Sequence, residues 1–314
     1  MMLGFVLRRS AAGLLLVLVI SFLSYTLLSI PDLDVGRQLL GQSASQDLVD
    51  AKNAALGLDR PVLVQYLDWL AHAVRGDLGT SWFTSEDVVR AIANRLPVTI
   101  SLMAGVTLVT TVAAFLLGVW AGVRRGAVDR FVQVFSVLGY ALPNFLVTLV
   151  IVLVFAVRLR WFPAIGYVGI GESFTGWLST VLLPVLSLSV GSVAGVAQQV
   201  RSSVIEVLRQ DYVRTLRARG LPPSRIVLKH VLRNASAPAL AVLGMQFVGL
   251  LGGAVLVEQI FGLPGIGSMT VTYTTRGDIP IIMALVMLTV VGVIAVNLVV
   301  DVLIGWLNPK ARLG

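Results

Sequence analysis

Residues Ile279–Val300 read IPIIMALVMLTVVGVIAVNLVV, 22 residues without an Asp, Glu, Lys or Arg. A helix needs about 20 such residues to cross the ~30 Å hydrocarbon core of a bilayer. A charge at mid-membrane costs about 2.5–3.5 kcal/mol on the insertion scale, so the length of an uncharged run is the signal that matters. Five further runs qualify: Ser10–Pro31, Leu96–Val123, Phe131–Val157, Ser173–Val200 and Asn234–Val257. Together the six cover 151 of 314 residues. The whole chain agrees, with 57% hydrophobic residues, 13% charged residues and a mean hydropathy of +0.90. Soluble domains carry about 25% charged residues. A soluble enzyme is therefore excluded, and an all-α membrane protein with six transmembrane helices is expected. A seventh uncharged stretch, Gln259–Thr275, holds Gly262, Pro264, Gly265, Gly267 and four threonines, and reads better as a loop, in part re-entrant, than as a seventh span.

Arg8 and Arg9 before the first run resemble the n-region of a signal peptide, but Ala11–Leu28 exceeds the usual 7–15-residue apolar segment and no A-x-A site follows. A retained first helix is expected. Six spans put both termini on one side. Counting Lys and Arg gives 15 on that side and 9 on the other, six of the nine in one long loop that carries little topological weight. The charge asymmetry assigns both termini to the cytoplasm. The net charge of +8 then reports orientation, not affinity for nucleic acid.

The long outer segment between Asp32 and Arg95 carries nine acids and six bases. Its pattern predicts a helix over Gln46–Leu56 stopped at Gly57, and a second that starts at Asp59-Arg60-Pro61 and stops at Gly76. Leu63, Tyr66, Leu67, Leu70 and Val74 have helical spacing, with Trp69 and Trp82 nearby. This suits a helix lying on the membrane surface or a small cap packed on the bundle.

The opposite-side segment Arg201–Arg233 has eight bases and two acids. It predicts a helix over Ser202–Arg219, a stop at Gly220, a turn at Pro222-Pro223, and a second helix N-capped by Ser224 and running through Val231. A connector needs only a few residues. Some thirty ordered residues point to a docking element for a protein, or to a basic stretch gripping anionic lipid headgroups.

The run Asp211-Tyr212-Val213-Arg214-Thr215-Leu216-Arg217-Ala218-Arg219-Gly220-Leu221, followed by Lys229-His230-Val231-Leu232-Arg233-Asn234-Ala235, closely resembles the coupling loop of ABC-transporter permeases of the dipeptide/oligopeptide importer family. Further segments match in order. They are Gly57-Leu58-Asp59-Arg60-Pro61 with Gln65-Tyr66, Arg75-Gly76-Asp77-Leu78-Gly79, Leu159–Ala164 with Gly166-Tyr167, Val257–Gly267, and the ending Asn308–Arg312. The long outer segment resembles the B-type of the two paired permeases. The family's Glu-Ala-Ala-x-x-x-Gly motif is here Arg214-Thr215-Leu216 followed by Gly220; Leu216 departs from the alanine usual in peptide-type members.

The resemblance implies a type I ABC importer permease fold. It divides the chain into an N-terminal span (1–31), an extracytoplasmic segment (32–95) and a five-helix core (96–314) with its coupling loop over 201–235. Asp211, Tyr212, Arg214, Thr215, Leu216, Ala218 and Gly220 would engage the ATPase. Glu258, Phe261, Pro264, Gly265 and Gly267 would form an extracytoplasmic gate loop. Implied partners are a second homologous permease, two ATPase subunits holding ATP and Mg²⁺, an extracytoplasmic solute-binding protein and membrane lipid, with no nucleic acid. The chain itself would hold no cofactor or metal. The solute class would be peptides, or, within the same family, nickel chelates or glutathione.

The residues themselves add two points. Gln133, Tyr140, Asn144, Thr148, Gln198 and Gln246 are polar groups within or beside the spans. Each lines a pathway or makes an interhelical hydrogen bond. Pro143 and Pro184 are candidate kinks. No G-x-x-x-x-G-K-[ST] loop is present, since Asn53, His230 and Ala311 follow the three lysines. ATP hydrolysis is thus assigned to other chains. A stand-alone secondary carrier would call for carboxylates inside the spans, and only Glu258 and Asp301 stand even at the margins.

Overall fold

The computed structural model describes residues 2–30 and 34–307. The ending Asn308–Arg312 and the outer-segment residue Asp32 lie outside them. Nearly every described element is helical, and the chain divides into two compact units, Met1–Pro97 with Gly265–Ile294, and Val98–Pro264 with Ala295–Gly314.

In the first unit, α1 is Met2–Ser29, followed by α2 (Val35–Leu40), α3 (Gln46–Ala55) and α4 (Val62–Val74). The expected stops hold, with Gly57 at φ +73° and Gly76 at φ +86°. α4 packs on α1 through an aromatic knot. Tyr66 meets Phe22 edge-on at 5.2 Å and Tyr25 at 5.9 Å, while its hydroxyl lies 2.9 Å from Ser21 Oγ. Leu63, Leu67 and Val74, on the flank of α4 beside this contact, remain exposed. Before α2, hydrogen bonds from Asn53 Nδ2 and the Arg37 N–H hold the Asp34 carboxyl below the usual carboxylate range. α5 spans Val88–Arg124, eight residues earlier than the uncharged run suggests. Asp87 starts it by accepting from the Arg90 N–H at 2.8 Å.

The second unit is organised around a later helix. After α5 come α6 (Ala127–Ala141) and α7 (Asn144–Ile151), the latter continuing as a π-helical segment Val152–Arg158. The run Phe131–Val157 is therefore not one straight helix, since Ala127–Ala141 and Asn144–Arg158 are bent by 102°. Leu142 and Pro143 are both extended, the state a residue before proline prefers. α8 (Phe174–Leu208) runs unbroken through Pro184 and is the most buried of the spans. Counting the bent pair as one, up to six helices are long and apolar enough to cross a membrane.

The basic connector differs from its expected form. α8 carries on to Leu208, and the chain breaks at Arg209-Gln210 before α9 (Asp211–Ala218). Pro222, not Ser224, caps the next helix, because Pro223 already occupies the first helical position. That helix does not stop at Val231. Its α10 turn (Pro223–Arg225), the π-helical turn Ile226–Val231 and α11 (Leu232–Ile260) form one rod, Pro223–Ile260.

The stretch Gln259–Thr275 is not a loop. α11 extends to Ile260, and Ile266–Arg276 forms α12, ended by Gly277 at φ +68°. Its threonines tolerate the helix because Thr270 and Thr272 donate to the carbonyls of Ile266 and Ser268, four residues back. α13 is Ile279–Leu307. Just before it, the buried Asp278 carboxylate accepts from Ser81 Oγ at 2.5 Å.

Candidate coupling and pathway site

α9 presents two faces. Val213 is fully buried, and Tyr212 and Leu216 pack beside it against a core that includes Val204, Val207, Ile226 and Val231. Asp211, Arg214, Thr215, Arg217 and Ala218 are exposed. Leu216, the departure from the family's alanine, thus faces the chain's own core and sets how α9 seats on its support. Gly220 takes φ +78°, a left-handed conformation that side chains resist. That bend brings the Gly220 N–H to Arg217 O at 2.9 Å and the Leu221 N–H to Leu216 O at 3.3 Å. These are the two bonds of a Schellman stop. Asn234 Nδ2 donates to Tyr212 Oη at 2.8 Å, tying α9 directly to α11.

Three of the six polar candidates come together on α8. A methyl group at Gly195 would fall on Gln246 Nε2 and lie 2.5 Å from Tyr140 Oη, and one at Gly191 would lie 3.1 Å from Asn144 Oδ1. Tyr140 at the end of α6, Asn144 at the start of α7 and Gln246 on α11 therefore meet over a glycine groove that side chains would close. The other three lie outside that groove, and of them only Thr148 touches a member of it, through the Asn144 backbone. Gln133 neighbours the Asp129 carboxylate, which takes a two-pronged ion pair from Arg201, with Nη2 3.0 Å from Oδ2. Thr148 turns back to Asn144 O at 2.8 Å. Gln198 Oε1 is buried without a hydrogen-bond partner.

At the far end of α11, Glu258 is fully buried and accepts from Thr99 Oγ1 at 2.8 Å. Phe261 is buried too, and its carbonyl accepts from the Gly166 N–H at 3.0 Å. Of the other residues expected at a gate, Pro264 is exposed, Gly265 caps α12, and Gly267 is buried in the first turn of that helix. Sequence reasoning passed over Thr99 and Ser101. Ser101 accepts from Trp177 Nε1 at 3.1 Å and lies 3.4 Å from Tyr167 Oη. Single hydroxyl residues inside an apolar run carry no periodic signal that would single them out.

This arrangement of spans is the membrane-subunit fold of a type I ABC importer. It aligns with the inward-facing MetNI methionine ABC transporter at TM-score 0.52 and 18% identity, covering 72% of this chain and 100% of that one. Residues 114–313 match the family of binding-protein-dependent transport system inner membrane components, and residues 2–103 match the N-terminal family of the same membrane components. The chain belongs to this family and is a multi-pass inner-membrane permease. Full-length relatives agree. The chain is 35% identical over 313 residues to a putative peptide transport system permease of Brucella melitensis, with 99% of each covered. It is 34% identical over 333 residues to a di/tripeptide transport system permease of Pseudomonas aeruginosa, again with 99% of each covered. It is 33% identical over 317 residues to an oligopeptide transport system permease of Bacillus subtilis, covering 98% of this chain and 99% of that one.

Proposed function

We propose that this permease imports peptides as one of two paired membrane subunits. Two ATPase subunits, carrying ATP and Mg²⁺, drive it from the cytoplasm, and an extracytoplasmic binding protein delivers the solute. The observation that carries the reading is α9: a short rigid helix whose exposed face is polar and basic and whose inner face is fixed to the transmembrane core. An ATPase cleft closing on that face moves α9 as a body. Val213 and the Tyr212–Asn234 bond pass the motion into Pro223–Ile260, a rod of about 57 Å at 1.5 Å per residue. Its other end carries Glu258 and the Phe261 turn, so one element links ATPase movement to the gate. Tyr140, Asn144 and Gln246 flank the same rod and supply uncharged hydrogen-bonding groups suited to amide-bearing solutes. The excess of Lys and Arg on the α9 side supports cytoplasmic termini and an external gate loop.

Deleting Arg214–Gly220 should abolish capture of the ATPase subunits while the chain still inserts in the membrane. Undiminished capture by the deletion variant would remove the docking role. A cysteine at Ser268, in a chain without native cysteines, should react with a membrane-impermeant thiol reagent from outside. The solute class is tested by uptake of a labelled dipeptide into cells carrying the complete transporter, which should disappear with the deletion.

A further inference from the structure

A cavity of about 320 Å³ lies within the second unit, walled by α5, α8, α11 and α13. It is the size of a small-ligand site, and its lining is almost wholly apolar, including Leu243, Leu250, Val299 and Leu303. Its polar contributors are few. Ser192 Oγ turns to Leu188 O at 3.4 Å, Gln246 sits at the edge beside Gly195, and Thr110 Oγ1 is buried with no hydrogen-bond partner. Thr110 is 2% exposed, so its one hydroxyl leaves the wall essentially apolar. Apolar cavities stay dry and take apolar guests.

The shape selects the guest. The lining on α11 runs from Leu240 to Leu250, about 15 Å at 1.5 Å per residue. A helix is about 10–12 Å across with its side chains, too thick for 320 Å³ spread over that length. A flexible hydrocarbon chain fits. The rim offers a lateral entrance, because Val299 and Leu303 on α13 are 57% and 41% exposed. The lining up to Val300 belongs to uncharged, membrane-spanning runs, and only Leu303 lies past Asp301, so acyl chains of the bilayer can reach this rim.

We propose that the cavity holds one acyl chain of a membrane phospholipid, wedged between α11 and α13 beside Gln246. The proposal does not depend on which solute is carried.

The test uses the full-length permease purified with its transporter partners. It is reconstituted in phosphatidylethanolamine/phosphatidylglycerol liposomes doped with a phosphatidylethanolamine bearing a diazirine midway along one acyl chain. After irradiation, label should concentrate on the segments 240–250 and 295–303. Ala295→Trp, an added indole on the exposed rim, should lower it by about tenfold, the loss that follows from displacing roughly two methylene groups. Leu116→Trp, on an exposed face of α5 away from the cavity lining, should leave it unchanged. Val299→Trp serves if Ala295→Trp fails to assemble, as judged by size exclusion. Label spread evenly over exposed Leu108 and Leu116 as well as the cavity overturns the proposal. So does label insensitive to both rim variants, and so does label displaced by an unlabelled dipeptide, which would make the cavity a solute pocket.

Discussion

The same three residues stand at both ends of the rod. Gly220-Leu221-Pro222 closes α9 just before the rod begins, and Gly262-Leu263-Pro264 closes the rod itself. The local geometry is shared. Gly220 and Gly262 have φ of +78° and +58°, and each leucine N–H reaches back five residues along the chain, Leu221 to Leu216 O at 3.3 Å and Leu263 to Glu258 O at 2.8 Å. The surroundings differ. A methyl at Gly220 would meet nothing within 4 Å, whereas one at Gly262 would lie 2.5 Å from Ile165 Cγ2. Leu221 is half-buried and Leu263 is 2% exposed. We call the first turn the handle, exposed at its glycine and proline, and the second the latch, whose leucine is buried although Gly262 and Pro264 are exposed, so tertiary packing, not the tripeptide, sets the surroundings.

Substitutions at the latch should cost more than their counterparts at the handle. Gly262→Ala adds a left-handed side chain, about 1–2 kcal/mol, and pushes the exposed Ile165 side chain off its rotamer for about 1 kcal/mol more. Thermal unfolding of the detergent-solubilised protein should show a loss of roughly 2–3 kcal/mol. Ile165→Ala in the same chain should recover the clash alone, leaving the conformational part. Next comes Glu258→Ala, which leaves buried Thr99 Oγ1 without its acceptor at a cost of about 1–3 kcal/mol. Glu258→Gln keeps an acceptor oxygen and should cost less. Equal losses for the two would mean that the carboxylate charge, not the hydrogen bond, holds the latch. Gly220→Ala should cost only the conformational part, about 1–2 kcal/mol. A loss matching that of Gly262→Ala would erase the distinction between the two turns.

The handle was legible in the sequence and the latch was not. Gly220 ends a helix pattern and is followed by two prolines, so its stop shows without tertiary information. Around Gly262, three glycines, a proline and four threonines imitate a loop. The threonines become helical only by donating to carbonyls within α12, and no composition signal reports that. The six uncharged runs were plain because the bilayer enforces them. The break at Pro143 was legible in place but not in size, since a proline permits a kink and packing against α8 sets its 102°. Pro184 makes the same point in reverse, lying inside an unbroken α8. Among the polar candidates, Tyr140, Asn144 and Gln246 converge because Gly191 and Gly195 let three elements approach α8. Helix rotation fixes that, and the list of polar residues could not separate these three from Gln133, Thr148 and Gln198.

The smallest effect on stability should carry the most information about coupling. Tyr212→Phe removes the hydroxyl that accepts from Asn234 and keeps the ring against its core. The bond is exposed, so its loss should cost about 0.5–1 kcal/mol in thermal unfolding. The same bond is a direct side-chain tie from α9 to α11, alongside the shared apolar core. In the assembled transporter, solute-stimulated ATP hydrolysis should therefore fall more than stability does, while ATPase capture stays intact. Asn234→Ala should reproduce the defect, and the double variant should add nothing, because both remove one interaction. Additive losses would mean that Tyr212 and Asn234 act separately, and the handle would then move the rod through Val213, Leu216 and Leu221 alone.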